Sequence, residues 1–363
     1  MSVNKFIFEV SKILTVVESA EISTEFGGMF SHEFGLGNIN LNKLKGFTAP
    51  SNWIKIQTIE AHTGGEPLRV IVSGYPKLKG DSILSKRDEI AQKYDFLRTT
   101  LMWEPRGHKD MYGALIVEPE KSSSDVGIIF MHNNGYSTGC GHAIIALTKI
   151  FIDYNVIPIK DPITEVVMDV PSGKINAFAK ITDKQIDKIF FNNVPSFVQE
   201  LDAIIEVPSF GQIKYDLAYG GAFYAVIDID QLGISLDKKY LDDIVIAGKK
   251  IKKAISKNVN CVHPIEPEMN DLYGIIFVDQ ADRSYCHSKN ICIFADGELD
   301  RSPTGTGVSA RAAIEFLKGN LGKNEPMLIE SITGSIFSVS VEKSIDLVDK
   351  KAIVPQVSGQ AWV

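Results

Sequence analysis

The chain has 363 residues, 44% of them hydrophobic and 23% charged, with a net charge of -7 at neutral pH. That length is long for one core and favours two domains, and the composition is that of an ordinary globular protein. The acidic balance excludes a nucleic-acid surface or a polybasic membrane surface, and no apolar run approaches the ~18 residues of a membrane span.

The leading stretch stands apart. Glu9, Glu18, Glu21, Glu25 and Glu33 are scattered through it, without an arginine. That pattern suits neither a mitochondrial transit peptide nor a secretory signal. Residues 1–50 are therefore read as an extension of unknown role: an added helix, a loose segment or a gene-model artefact. Next, Gly64-Gly65 precedes Leu68-Arg69-Val70-Ile71-Val72, a short β-branched run that reads as a strand after a turn. Asp110 to Val117 and Ile128 to Cys140 follow. Then come Ser137-Thr138-Gly139-Cys140-Gly141-His142-Ala143 and a helix-like spacing of Ala143, Ile144, Leu147, Ile150 and Phe151.

The same landmarks return in the same order. Gly220-Gly221 precedes Phe223 to Ile227. Asp271-Leu272-Tyr273-Gly274 matches Asp110-Met111-Tyr112-Gly113, and Cys292 to Thr304 runs parallel to Ile128 to Cys140. Arg301-Ser302-Pro303-Thr304-Gly305-Thr306-Gly307 then leads into a looser helical spacing of Val308, Ala312, Ile314 and Phe316. The chain reads as a duplication with β-rich halves, each with a helix after a pivot. Cysteine is the first pivot and threonine the second.

Each pivot stands at or just before a helix N-terminus. Free N–H groups and positive dipole there bind carboxylates and lower the pKa of a nearby cysteine. Gly141, Gly305 and Gly307 let a ligand approach the backbone. If the halves face each other, both helix N-termini hold one carboxylate and the pivots flank its α-carbon. This is a site for removing an α-proton from an amino or imino acid. A thiolate serves as a base near neutral pH and a threonine hydroxyl does not, so one base is retained. The other cysteines, Cys261, Cys286 and Cys292, lack such context and read as packing residues. No CxxC pair or zinc-like spacing with the seven histidines appears. The thiols are expected to be reduced, in a cytoplasmic protein. No phosphate loop, dinucleotide fingerprint or metal cluster appears, so neither cofactor nor metal is expected. His62 and His108 read as structural, and Asp300, taken alone, as a turn or cap residue.

Six segments resemble the proline racemase superfamily. They are His62 to Pro67, Arg106 to Ala114, Gly135 to His142, Ala218 to Ala225, Phe294 to Gly307, and Val357 to Trp362. The resemblance covers nearly all of the chain beyond the extension. It implies an α/β fold of the diaminopimelate epimerase-like type, with two pseudo-symmetric halves. Each half is a mixed sheet around a central helix, with the site in the cleft between them. The first half is expected over 51–205 and the second over 206–345, with 346–363 returning to the first. Members with cysteine first and threonine second resemble trans-3-hydroxy-L-proline dehydratases, hydro-lyases that form Δ1-pyrroline-2-carboxylate. In the trans isomer the α-hydrogen and the 3-hydroxyl share one ring face, so one residue can drive elimination.

By that resemblance Cys140 is the base. Gly141, His142, Gly305 and Thr306 hold the carboxylate, Asp300 pairs with the ammonium and Thr304 hydrogen-bonds the substrate. His142 shares the ammonium role or assists departure of the hydroxyl. The expected partners are a small imino acid and a second copy of the chain, as a homodimer. The chain departs from the usual pattern at Gly139, where methionine is common, and at Ala143, where glycine is. Alternative activities are a proline racemase or 4-hydroxyproline epimerase and, from another class, a catalytically silent imino-acid-binding protein.

Overall fold

The computed structural model describes the backbone of 13–17 and all residues from 49 to 363. Ile13–Val17 is a strand running parallel to Ile54–Thr58. The rest of the expected extension lies outside the described residues, apart from 49 and 50.

Strands Ile54–Thr63 and Glu66–Ser73 form an antiparallel hairpin. Gly64 and Gly65 close it, both with positive φ (61° and 89°). Such a two-residue turn matches the twist of the strands it joins, and glycine adopts its angles without strain. Two helices follow on the outside. The first, α1 (Ile83–Lys93), begins with a capping box in which Ser82 and Ser85 satisfy each other's backbone N–H groups. The second, α2 (Asp95–Met102), lies beside it. Their apolar faces build a smaller core with Ile56, Ile71, Leu115 and Ile129.

Glu66–Ser73 then pairs in parallel with Tyr112–Val117, which pairs antiparallel with Val126–His132. The short strand Gly135–Ser137 folds back and feeds α3 (Gly141–Asp153). Every residue of α3 is buried except Lys149 and Asp153. A helix that apolar on all sides belongs at the centre of a unit. Ile163–Val170, Gly173–Thr182 and Gln185–Asn192 complete the unit.

The second unit repeats this topology. Gly211–Tyr219 and Phe223–Asp228 form the hairpin, and Phe223–Asp228 runs parallel to Leu272–Asp279. Leu272–Asp279 pairs with Ser288–Phe294, and Glu298–Asp300 folds back. Between them, α4 (Leu241–Asn258) covers the sheet with Ile244, Ala247, Gly248, Ile251 and Ile255, spaced at three and four. The central helix α5 (Gly305–Leu317) is buried from Gly305 to Ile314. Met327–Ser331, Ile336–Leu347 and Lys350–Gly359 finish the unit. The mixed sheet around a central helix, twice over, is the fold class that the sequence implies.

The units exchange strands. Ser196–Val207 follows the first unit in sequence but pairs with Gly211–Tyr219 and with Ala352 and Ile353. Ala361–Trp362 follows the second unit but pairs with His62 and Thr63. Lys350–Gly359 also pairs with Gln185–Asn192, making the sheet continuous. The 205/206 boundary expected from the sequence falls inside Ser196–Val207. By its pairing that strand belongs wholly to the second unit, so the chain crosses over before Ser196.

The central helices meet end to end. A Cβ built on Gly141 would lie 2.5 Å from the Gly305 Cα, and one built on Gly305 would lie 2.5 Å from the Gly141 Cα. No side chain fits there without moving a helix. Gly141→Ala and Gly305→Ala are each expected to destabilise the protein by roughly 1–3 kcal/mol through overpacking. Urea denaturation measures this, and unchanged midpoints for both variants would show that the helices do not abut.

Candidate active site

A narrow cavity lies where α3 and α5 meet. Its free volume is only about 20 Å³. Cys140, Gly141, His142, Asp300, Thr304, Gly305 and Thr306 all line it. The structure thus brings together every residue given a catalytic or substrate-binding role, whereas Gly307, also expected to let a ligand approach, packs against Ile276 and Thr304. It leaves out His62, which stacks on Trp362 with ring centroids 4.9 Å apart, and His108, whose Nδ1 lies 2.7 Å from the Lys109 carbonyl.

Cys140 is the N-cap of α3, and its Sγ accepts from the Ala143 N–H at 3.4 Å. The N–H groups of Gly141 and His142 sit in the first turn, where no carbonyl precedes them to accept. The same holds for Gly305 and Thr306 at the start of α5. Two sets of free donors and two positive helix ends therefore point into one small space, an arrangement suited to a carboxylate.

The pivots differ in backbone as well as side chain. Cys140 is extended, with φ -152°. Thr304 has φ 67°, in the left-handed region that a β-branched residue rarely enters. Such a conformation costs on the order of 1–3 kcal/mol and persists only where the surroundings impose it. The Thr304 hydroxyl is buried without a hydrogen-bond partner in the protein. Tyr224 OH lies 2.7 Å from Thr306 Oγ1 and fixes that side chain. His142 Nδ1 is 3.2 Å from Cys140 Sγ, and the Tyr112 ring meets His142 edge-on at 4.9 Å.

Burial governs the electrostatics. It pushes the Cys140 thiol well above the usual cysteine range, and the Asp300 and Glu66 carboxyls push the same way. The Ala143 N–H pulls in the opposite direction without prevailing. The sequence-based expectation that the helix N-terminus lowers this pKa is therefore corrected for the closed site. A helix end acts through partial charges, whereas complete burial removes all hydration of the thiolate. Burial also drives His142 down to about 3, so its imidazole is neutral. Asp300 is raised to about 6 by burial, opposed by hydrogen bonds that include the Ser302 N–H at 2.8 Å.

The sequence reading missed Glu66 and Cys292, which line the same cavity. Glu66 is fully buried, and its Oε2 accepts from the Arg301 N–H at 2.7 Å. Its signal in the sequence was an acid placed directly after a glycine turn and at the head of an apolar strand. Cys292 was read as packing, yet it is paired in register with Asp300. Burial and then Asp300 push its thiol well up. Tyr112, Tyr224 and Tyr273 also line the cavity.

The units are pinned across this cleft. Thr138 Oγ1 donates to the Gly221 carbonyl (3.0 Å), and the Leu299 N–H donates to Asp110 Oδ1 (3.1 Å). His132 Nδ1 lies 2.9 Å from Glu298 Oε1. Among the described residues no cluster of three or more His, Cys, Asp or Glu is arranged to hold a metal ion. No helix among them is long and apolar enough to cross a membrane.

Known proteins share this architecture. A trans-3-hydroxy-L-proline dehydratase of Colwellia psychrerythraea is 46% identical over 86% of this chain and 88% of its own length. A trans-L-3-hydroxyproline dehydratase of Xenopus tropicalis is 39% identical over 86% and 91%. Among solved structures, a hydroxyproline epimerase from Agrobacterium vitis, with bound trans-4-hydroxy-L-proline, superposes with a TM-score of 0.79. It is 30% identical and is matched over 85% of this chain and 90% of its own. The proline racemase family model matches residues 58–363, and with this fold and these relatives the chain belongs to the proline racemase family.

Proposed function

We propose that this protein dehydrates trans-3-hydroxy-L-proline to Δ1-pyrroline-2-carboxylate and water, as a hydro-lyase with one base. The observation that carries this reading is the unequal pair of pivots at one cavity. A thiol stands at the head of α3 and a hydroxyl at the head of α5. A threonine hydroxyl exchanges no proton with a carbon acid near neutral pH, so a racemase that uses both ring faces lacks its second partner. Relatives at 38–46% identity, several of them named as dehydratases of this substrate, support the same reading.

In this reading the substrate carboxylate takes the free N–H groups of Gly141, His142, Gly305 and Thr306. Its ammonium faces Asp300, and Thr304 Oγ1 gains a hydrogen-bond partner. Burial is the main cause of the raised Cys140 pKa; the substrate ammonium offsets the smaller contribution of Asp300, while the substrate carboxylate is held by the helix N–H groups. The thiolate takes the α-proton, the C3–O bond breaks on the same ring face, and the enamine tautomerises to the imine. The space around the helix ends is too small for an imino acid as it stands. The two units therefore open to admit it and close to exclude water, which strengthens the contacts to the developing carbanion. The proposal includes a homodimeric assembly, as the family resemblance implies, and a cytoplasmic location, from the reading of the cysteines as reduced thiols.

Proton NMR of the purified protein with trans-3-hydroxy-L-proline in D2O tests the reading. The expected result is loss of substrate with appearance of Δ1-pyrroline-2-carboxylate. An intact 3-hydroxyl with deuterium at the α-carbon would instead show proton abstraction without elimination and point to an epimerase or another hydroxyproline isomer as substrate, and binding without turnover to a silent imino-acid-binding protein.

A further inference from the structure

The hydroxyl that leaves needs a proton, because hydroxide is a poor leaving group in a dry site. We propose that Glu66 supplies it, an assignment that rests on the dehydratase reading above.

Glu66 opens strand Glu66–Ser73, held in place by the Gly64-Gly65 turn on one side and the sheet on the other. Its carboxyl is fully buried and split in function. Oε2 is fixed by the Arg301 N–H, while Oε1 has no partner and belongs to a side chain that lines the cavity. An unpaired buried carboxyl oxygen is costly, and such exceptions call for a reason. A bound substrate hydroxyl would provide the partner. The residue also shares the cavity with the base. It lies near enough to Cys140 for its carboxyl to act on the thiol, and in the trans isomer the α-proton and the hydroxyl leave from one ring face.

The proton is present. Burial raises the Glu66 pKa well above the carboxylate range, and the neighbouring Asp300 charge raises it further. Asp300, near 6, is mostly ionised at neutral pH and suits the ammonium. Two carboxyls in one cavity are thus pushed to opposite protonation states, the pattern of an acid beside a charge partner. The other proton carriers in the cavity are poorer acids. His142 is a neutral imidazole, Tyr112 OH and Tyr224 OH are engaged with Ser137 Oγ and Thr306 Oγ1, and burial holds the Tyr273 hydroxyl and the Cys292 thiol well above their ordinary range.

The step balances. Cys140 thiolate takes the α-proton and becomes a thiol, and the C–H pair becomes the C2–C3 π bond. The C3–O pair departs on oxygen, which takes the Glu66 proton and leaves as water. Solvent then returns a proton to Glu66 and accepts one from Cys140 when the site opens.

A change of leaving group separates this role from a structural one. Fluoride leaves without needing a proton, so the 3-fluoro analogue of the same configuration requires Cys140 but not an acid. Glu66→Gln keeps the size of the side chain and the acceptor for the Arg301 N–H. We expect it to slow dehydration by about 10²-fold or more while fluoride release changes by less than about tenfold. Glu66→Asp, which keeps an acid, should recover part of the lost dehydration. Equal losses with both substrates, or no loss with either, would overturn the assignment. A wild-type protein that processes neither substrate would instead sink the dehydratase reading on which it rests.

Discussion

Cys140→Ala is expected to lower dehydration of trans-3-hydroxy-L-proline by about 10³–10⁴-fold, the upper range for loss of a positioned base. The substitution should also abolish exchange of the α-proton with D2O. The reasoning combines geometry and elimination. Cys140 is held by its own helix cap, with the Ala143 N–H bound to Sγ, so its thiol has one place to be. Among the neighbours, His142 is the nearest alternative base, at 3.2 Å from Sγ. A neutral imidazole with its pKa near 3 is a weak base, so it should not replace the thiolate. Fold integrity is checked separately by thermal unfolding, where loss of the cap interaction should cost only about 1 kcal/mol. If Cys140→Ala kept activity within tenfold of wild type, another group would be taking the proton, and the role given to the first pivot would be wrong.

The reason for expecting a large effect lies in the repeat. In a symmetric two-base site, loss of one thiol leaves another at the mirror position. Here that position is Thr304, whose backbone sits at φ 67° and whose hydroxyl has no partner in the protein. Cys292 lines the same cavity, but from strand Ser288–Phe294 opposite Asp300 and not from the head of a helix. Nothing at the second pivot can stand in for Cys140.

Much of this arrangement was legible in the chain because it depends on local chemistry. Gly64-Gly65 announced a turn, and it closes a hairpin with both glycines at positive φ. The small residues after Cys140 and Thr304 announced helix starts, and α3 and α5 begin at Gly141 and Gly305. The repeat of landmarks announced two units of one topology. What remained hidden was set by distance along the chain. Glu66 meets Arg301 and Asp300 only because the hairpin of the first unit reaches the second. No spacing in the sequence encodes that contact. Cys292 looked like any strand cysteine, since its place opposite Asp300 follows from a register set by the fold. The strand Ser196–Val207 gave no sign that it pairs outside the unit it follows. The sign of the Cys140 shift was hidden for the same reason. The helix end is a local feature visible in sequence, but the burial that overrides it is a property of the closed cleft.

Asp300→Asn is expected to separate function from stability. Asp300 is buried with its pKa raised to about 6, whereas the unfolded chain holds an ordinary aspartate near 4. The folded state therefore binds more protons than the unfolded state across that interval, and stability falls as pH rises from about 4 to about 6. Above that window the ionised carboxylate costs on the order of 3 kcal/mol. Asparagine removes that charge and can still accept the Ser302 N–H. Unfolding of the variant at pH 8 should need more denaturant than wild type, and at pH 4 the difference should shrink. Function should move the other way. Removing the charge that faces the substrate ammonium costs roughly 2–5 kcal/mol in such buried pairs, so kcat/KM should fall by on the order of 10³-fold. Wild-type kcat/KM should itself decline as pH drops below about 6, because the free enzyme then protonates Asp300, and the variant should lose this acid limb. A variant no more stable than wild type at pH 8, with the acid limb intact, would mean that Asp300 is neither strained by burial nor the partner of the ammonium. The site would then need another anion for that role, and Glu66 would be the remaining carboxyl in the cavity.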